Sequence, residues 1–105
     1  MAFLIRDVFR CKPGKAGALV DVFRRAGPHF ERLHGFRRQR VLVDYVASYW
    51  TVVLEAEVDS LAQFDEHMAT YANTPEIRAA MAGYLEHVEG GHREIFRIVE
   101  IGGGA

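Results

Sequence analysis

The chain has 105 residues, of which 50% are hydrophobic and 26% are charged, a size and composition typical of one globular domain. No apolar run is long enough to span a membrane, and the single cysteine, Cys11, excludes an intrachain disulfide. Because disulfides are rare in reducing compartments, we expect a cytoplasmic protein without a membrane partner.

The net charge of −1 conceals two segments of opposite sign, +7 over residues 1–40 and −8 over residues 41–105. We expect these segments to neutralise each other within the fold. Since no nucleic-acid-binding motif accompanies the basic segment, we expect no nucleic-acid partner.

The spacing of apolar residues changes between residues 3–11 and 15–33, and this change predicts a first strand followed by a first helix. Residues 3–11 alternate as a strand does, and one strand face carries Asp7 among apolar side chains. Residues 15–33 repeat apolar side chains at helical spacing. Gly27–Pro28 predicts a kink or break in that helix, because proline cannot donate to the helical hydrogen bonds. Gly35 is expected to end the helix.

Two further strands are predicted over residues 36–46 and 49–58, joined by a tight turn at Ala47–Ser48. Trp50 begins the apolar face of the third strand. The arginine-rich run at residues 37–40 alternates between both faces of its strand, so we expect it to bind acidic residues of a partner subunit.

The second helical region is predicted to begin near Leu61, after an N-cap at Asp59–Ser60. It breaks before Pro75, and Thr74 is expected to cap a second piece over residues 75–88. Gly90–Gly91 would end that piece. The last strand is then predicted over residues 92–101, which completes a single domain of residues 1–101 with a flexible Gly-rich tail at 102–105.

This βαββαβ order predicts an α+β, ferredoxin-like fold with an antiparallel four-stranded sheet in the spatial order 4-1-3-2. Both helices would cover one sheet face and leave the other bare. A bare face with large apolar side chains and cross-strand charge pairs predicts a homodimer. The residues expected on that face are Leu4, Arg6, Val8, Arg10, Tyr49, Val53, Glu55, Glu57 and Phe96.

Three segments resemble the dimeric α+β barrel superfamily, in its antibiotic-biosynthesis-monooxygenase and NIPSNAP-like branch. IRDVFRCKPGK at residues 5–15 resembles the strand-PGK-helix start of these proteins. WTVVLEA at residues 50–56, with the following Asp59–Ser60–Leu61 and Phe64, resembles their third strand and second helix. GHREIFR at residues 91–97 resembles their last strand. The resemblance covers nearly the whole chain, and its motifs mark the fold rather than an activity.

The resemblance implies two sheets paired face to face and a ligand held between each sheet and its own helices. Family members include cofactor-free oxygenases of aromatic substrates, haem-degrading enzymes and lactone isomerases. The Asn, Trp and His that haem-degrading members use fall here on Asp7, Val58 and Met81. Because all three depart from the pattern, we do not expect haem degradation by that route, and we expect no cofactor.

Two residues are candidates for catalysis. Asp7, on a face covered by helices, is expected to have a raised pKa and to act as a general base. The alternative is an Asp7 that is bonded to a helix residue or borders the cleft mouth. His67 should face inward one turn after Phe64 and could exchange a proton with Asp7; the alternative is a satisfied, half-buried histidine. We expect His29 and His34 to face solvent.

A small hydrophobic or aromatic molecule is the expected ligand, bound between helices and sheet. The protein would then be a cofactor-independent monooxygenase or isomerase; the alternative is a non-catalytic homodimer with a filled core that binds a ligand or a protein. No metal site is expected, because the five histidines lack a ligand spacing. The residues expected to contact the ligand are Trp50, Phe64, Tyr71, Met81 and Tyr84.

Overall fold

A computed structural model describes residues 2–100. Its strands are β1 (Phe3–Cys11), β2 (Arg37–Val43), β3 (Thr51–Val58) and β4 (Val88–Arg97). Its α-helices are α1 (Ala16–His34), α2 (Leu61–Thr70) and α3 (Pro75–Ala80), with short 3-10 turns at Tyr71–Asn73 and Tyr84–His87. Ile101 and the predicted tail at residues 102–105 lie outside the described residues.

The four strands form one antiparallel sheet in the order β2-β3-β1-β4, which confirms the predicted ferredoxin-like α+β topology. In the centre of the sheet Val8 lies opposite Val53, and Leu4 lies opposite Phe96 on the edge strand β4. Within residues 2–100, no helix combines the length and the apolar character that crossing a lipid bilayer requires.

The hydrophobic core lies between the sheet and the helices, on the strand faces that alternation predicts. One cluster joins Ile5 of β1 to Phe30 of α1 and Ile77 of α3. A second cluster joins Leu19 of α1 to Val52 of β3. All five side chains are buried, and their burial is the main source of stability for a domain of this size.

Helix α1 continues through Pro28, so the predicted break there is wrong. Ala26 and Phe30, on either side of the proline, are both buried in the core, and their packing outweighs the lost backbone hydrogen bond. The carbonyl of Gly27 accepts a hydrogen bond from Nε2 of Gln39 at 2.7 Å. Gly35 ends the helix in a left-handed conformation with φ of 72°, as predicted.

The β2-β3 connection is longer than predicted, because loop 44–50 replaces the expected turn at residues 47–48. Asp44 closes this loop: its Oδ1 accepts from the amide of Thr51 at 2.9 Å, and the Thr51 hydroxyl donates to the carbonyl of Ser48 at 2.6 Å. Such side-chain bonds supply the turn chemistry that the dipeptide at 47–48 lacks.

Helix α2 begins as predicted, since Oγ of Ser60 accepts a hydrogen bond from the amide of Gln63 at 3.1 Å. Thr74 lies before α3, but its hydroxyl donates to the carbonyl of Thr70 at 3.0 Å and does not cap the helix. Helix α3 ends at Ala80, and the chain reverses at Gly83, whose φ is 81°. The helix predicted over residues 75–88 is therefore too long.

Strand β4 begins at Val88, so the prediction that Gly90–Gly91 ends a helix is wrong. Gly91 pairs with Phe9 in the β1-β4 register. A Cβ atom at Gly91 would lie 2.0 Å from the carbonyl oxygen of Val8, so only glycine permits this approach of the two strands.

Candidate functional site

A cavity of about 100 Å³ lies between the sheet and the helical layer. Its walls are mostly apolar and include several phenylalanines. The polar or charged residues among its lining are Asp7, His67, Tyr71, Tyr84 and Arg93.

Most of the residues predicted to form a site line this cavity. Both proposed catalytic residues, Asp7 and His67, lie there together with Phe64, Tyr71, Met81 and Tyr84. Trp50 does not: it belongs to loop 44–50, has a φ of 61° and is 42% exposed. The longer loop carries Trp50 away from the strand face on which alternation had placed it.

Asp7 forms an ion pair with Arg93, which lies directly opposite it in the β1-β4 register. Nε of Arg93 lies 2.5 Å from Oδ1 of Asp7, and Nη2 lies 3.5 Å from Oδ2. The guanidinium also lies over the ring of Phe64, 5.1 Å from its centroid. The partner of Asp7 is thus a strand residue and not a helix residue.

Sequence reasoning missed Arg93, although a signal for it existed. Phe96 was assigned to the bare sheet face, and strand alternation then assigns Arg93, three residues earlier, to the helix-covered face that Asp7 shares.

His67 is buried among aromatic rings. The centroid of its imidazole lies 4.5 Å from that of Phe36, 5.3 Å from that of Phe30 and 5.4 Å from that of Tyr71. Burial, reinforced by the nearby charges of His34 and Arg93, lowers the pKa of His67 to about 4. His67 is therefore neutral at pH 7.

His34 is the hydrogen-bond partner of His67, through Nδ1 of both rings. The expectation that His34 faces solvent is wrong, because the C-terminal end of α1 packs it half-buried against α2. Burial also lowers the pKa of His34, although the charge of Glu66 opposes that shift. Nε2 of His34 lies 3.5 Å from Oγ1 of Thr70.

This network favours one tautomer for each histidine. The Thr70 hydroxyl donates to the carbonyl of Glu66 at 2.8 Å, so it can only accept from Nε2 of His34. A neutral His34 then has no proton on Nδ1, which must accept from Nδ1 of His67. Nε2 of His67 is left with a free lone pair, on a ring that lines the cavity.

Two tyrosines complete the polar part of the cavity. Burial, and then a hydrogen bond with the side chain of Tyr71, raise the pKa of the Tyr84 phenol. The Tyr84 phenol therefore stays protonated at pH 7 and can donate or accept a hydrogen bond.

The thiol of Cys11 lies in the core, and burial raises its pKa, so it does not resemble a reactive thiol. Among residues 2–100, no three His, Cys, Asp or Glu side chains are grouped closely enough to hold a metal ion.

Among residues 2–100 no helix covers the opposite face of the sheet, and the buried charge at the centre of this face is paired within the chain. Glu55 is buried and accepts hydrogen bonds from Arg6 and from Nε of Arg40, the latter at 2.7 Å. Burial tends to raise the pKa of Glu55, but these bonds from Arg40 and Arg6 hold it below its usual value. Cross-strand Arg–Glu pairing, predicted for this face, is thus present.

Arg37, Arg38 and Arg40 pair with acidic residues of their own chain, and their side chains stay exposed, so their contact with a partner subunit stays a prediction. Arg37 pairs with Asp59 at 2.5 Å and Arg38 with Glu57 at 3.4 Å. The β2-β3 register brings Glu57 and Glu55 of β3 opposite Arg37 and Arg40 of β2, and Asp59 follows directly after β3.

No protein-family model and no curated protein sequence matches the chain. Solved structures do match it. A NIPSNAP family protein from Agrobacterium tumefaciens has a TM-score of 0.80 at 14% identity, over 98% of both chains. An antibiotic-biosynthesis-monooxygenase-like protein from Chloroflexus aurantiacus has a TM-score of 0.73 at 13% identity, over 97% of this chain and 98% of the other.

A third similar structure, from Bacteroides fragilis, is described as a dimeric protein of unknown function with a ferredoxin-like fold. Its TM-score is 0.69 at 17% identity, over 92% of this chain and 96% of the other. At these identities the likeness concerns the fold. The chain therefore has the ferredoxin-like α+β fold that NIPSNAP and antibiotic-biosynthesis-monooxygenase-like proteins share, as its sequence resemblance implied.

Proposed function

We propose that the protein is a homodimer that binds a small, flat, aromatic or enolisable molecule in the cavity between helices and sheet. We further propose that it acts there as a cofactor-independent monooxygenase or isomerase. The observation that carries this proposal is the juxtaposition, in one apolar cavity, of a neutral histidine with a free lone pair and an arginine held by a carboxylate.

The size and lining of the cavity favour a ligand with a single ring. An apolar cavity of about 150 Å³ holds benzene in another protein, and the cavity here is about 100 Å³. Met68 and Met81 form part of the wall, and methionine adapts its shape more readily than other apolar residues. A modest movement of these side chains would admit one aromatic ring.

The chemistry begins with a proton transfer. Nε2 of His67 would accept a proton from an acidic O–H or C–H group of the ligand, and Arg93 would stabilise the resulting anion. Asp7 is tied to Arg93, so it supports this step by orienting the guanidinium, and the base role first considered for Asp7 passes to His67. The anion could then be reprotonated at another carbon, which is an isomerisation. Alternatively, a phenolate could form a C–O bond with molecular oxygen, and the resulting peroxide would lose water to leave a quinone, so that one oxygen atom enters the product and the other leaves as water.

The first step can be tested without knowing the natural substrate. We would follow deuterium exchange into cyclohexanone, an enolisable ring whose uncatalysed exchange is slow, in heavy water by NMR, with wild type and His67→Phe. The phenylalanine keeps the aromatic packing and removes the base. We expect wild type to accelerate the exchange of the acidic C–H and the variant to lose that acceleration.

The outcomes separate the two functions. Saturable binding of the ketone at the cavity without accelerated exchange would favour the alternative, a non-catalytic ligand-binding homodimer. Equal acceleration by wild type and His67→Phe would refute His67 as the base.

Dimerisation is supported by the uncovered sheet face, on which Leu42 and Phe96 are exposed. Loop 44–50 adjoins this face and carries further exposed aromatic side chains; Tyr45 is 100% exposed. The single cysteine, buried in the core, favours a cytoplasmic location for the dimer.

A further inference from the structure

A second concavity, of about 420 Å³, lies on the outer surface of the helical layer. Tyr71, Met81 and Tyr84 line both this groove and the inner cavity. These side chains therefore form a common wall, with the cavity on one side and solvent on the other.

The wall stands where the helical layer is least regular. Tyr71 lies in the 3-10 turn after α2, Met81 follows the end of α3, and Tyr84 begins the second 3-10 turn. Gly83, with φ of 81°, reverses the chain between Met81 and Tyr84. Short turns carry fewer backbone hydrogen bonds than a helix, so the wall can move more readily than α1 or the sheet.

The groove is suited to hydrocarbon. Its lining is almost wholly apolar and includes Leu85, which is 67% exposed, and Ala82; Arg78 is its one charged residue. The aliphatic stem of an arginine can itself cover apolar surface. A polar ligand group would find few partners in this groove.

The cavity volume is the second argument. Small-molecule sites typically measure about 300–1,000 Å³, and the inner cavity of about 100 Å³ falls below this range. The groove, at about 420 Å³, lies within this range, and it adjoins the cavity through their common wall. A ligand that occupied only the cavity would leave the adjoining apolar groove exposed to water.

We propose that the groove binds an apolar tail attached to the ring that occupies the cavity, and that the ligand enters between Tyr71 and Tyr84. Entry then requires the hydrogen bond between these two side chains to open. The ligand class is therefore a phenol or enol that bears a hydrocarbon chain. This inference rests on the proposed binding of a ring in the cavity.

The test is a series of para-alkylphenols, from para-cresol to para-octylphenol, titrated into the protein by calorimetry. We expect each methylene that enters the groove to strengthen binding up to about four-fold, until the chain reaches the end of the groove. Para-cresol, which has no tail, reports on the cavity alone.

Leu85→Asp is the diagnostic variant, because Leu85 lines the groove and not the cavity. It should abolish the dependence on chain length and leave the affinity for para-cresol unchanged. Its exposure means that the substitution removes little core packing. Leu33→Asp, at an exposed position on α1 outside both concavities, is the matched control and should behave as wild type.

Para-cresol binding with no gain from longer chains would overturn the tail proposal and leave the cavity function standing. A chain-length effect that survives in Leu85→Asp would also overturn it, because the chains would then bind elsewhere. Failure of every phenol to bind would refute the cavity function itself.

Discussion

His67 combines an aromatic environment with a basic nitrogen, and this combination makes stability depend on pH. Its pKa is about 4 in the folded protein, against an ordinary value of 6.5. Between these values the unfolded chain binds a proton that the folded protein does not. The contribution of His67 to the free energy of unfolding is therefore complete above pH 6.5. As pH falls toward 4, this contribution is lost, by roughly 3 kcal/mol.

Urea unfolding at pH 7 and pH 4.5 measures this effect. His67→Phe should lose less stability than wild type between the two pH values, because it lacks the titrating group. His29→Gln is the matched control, since His29 lies on α1 and contacts the exposed Arg32. We expect this variant to keep the wild-type loss of stability. Equal pH dependence in wild type and His67→Phe would contradict the assignment.

His34 is predicted to set the proton position on His67. In the wild type, nitrogen NMR of the imidazole should show a protonated Nδ1 and a bare Nε2 on His67. His34→Ala removes the acceptor of that proton, and we expect a mixture of both tautomers. Thr70→Val, which keeps the shape but removes the hydroxyl, should weaken the preference less. A protonated Nε2 on His67 in the wild type would refute the hydrogen-bond network of Thr70, His34 and His67 described above.

The sequence predicts which face of its strand or helix each of Asp7 and His67 occupies, but it does not predict which side chains contact each other. Strand alternation put Asp7 on the covered face, and helical spacing turned His67 inward, because both patterns are local. The contact of His34 with His67 joins two helices that are distant in sequence, so no local period encodes it. Trp50 was misplaced because side-chain bonds of Asp44 lengthen the loop that carries it.

At the scale of elements, the close approach of β1 and β4 depends on one glycine. A Cβ at Gly91 would lie 2.0 Å from the backbone oxygen of Val8, and backbone cannot move aside cheaply. Gly91→Ala should therefore destabilise the protein by about 2–4 kcal/mol, measured by urea unfolding.

Gly90→Ala is the matched control for that substitution. The nearest atom to a Cβ at Gly90 is Nη2 of Arg10 at 3.2 Å, at the end of a flexible side chain. We expect this variant to lose less than about 1 kcal/mol. Similar losses at both glycines would mean that strand propensity, and not the contact with Val8, sets the cost.

The order and the buried faces of the elements could be read from the sequence, because each depends on a repeated pattern. The first and last residues of an element could not be predicted where a tertiary contact outweighs the local preference of a proline or glycine. Pro28 does not break α1 because its neighbours Ala26 and Phe30 are buried in the core. Gly91 permits a strand contact instead of ending a helix.

At the scale of the whole molecule, the uncovered sheet face is compatible with a second copy of itself. Its central acid, Glu55, is already paired with Arg6 and Arg40, so burial of this face in a dimer would not leave an unpaired charge. Phe96, 49% exposed on β4, adds an apolar group near the sheet edge. A two-fold interface brings the same patch from both subunits together, which suits a face of this mixed character.

Phe96→Glu tests this interface. We expect wild type at micromolar concentration to sediment with twice the chain mass of 11.9 kDa, and the variant with the mass of one chain. The reason is that a two-fold axis would bury two added carboxylates in the interface, and removing these charges from water is costly. Leu33→Glu, an equivalent change at an exposed position on the helical layer, should remain dimeric. A dimer that tolerates Phe96→Glu but dissociates with Leu33→Glu would place the interface on the helices and leave the sheet face open to solvent.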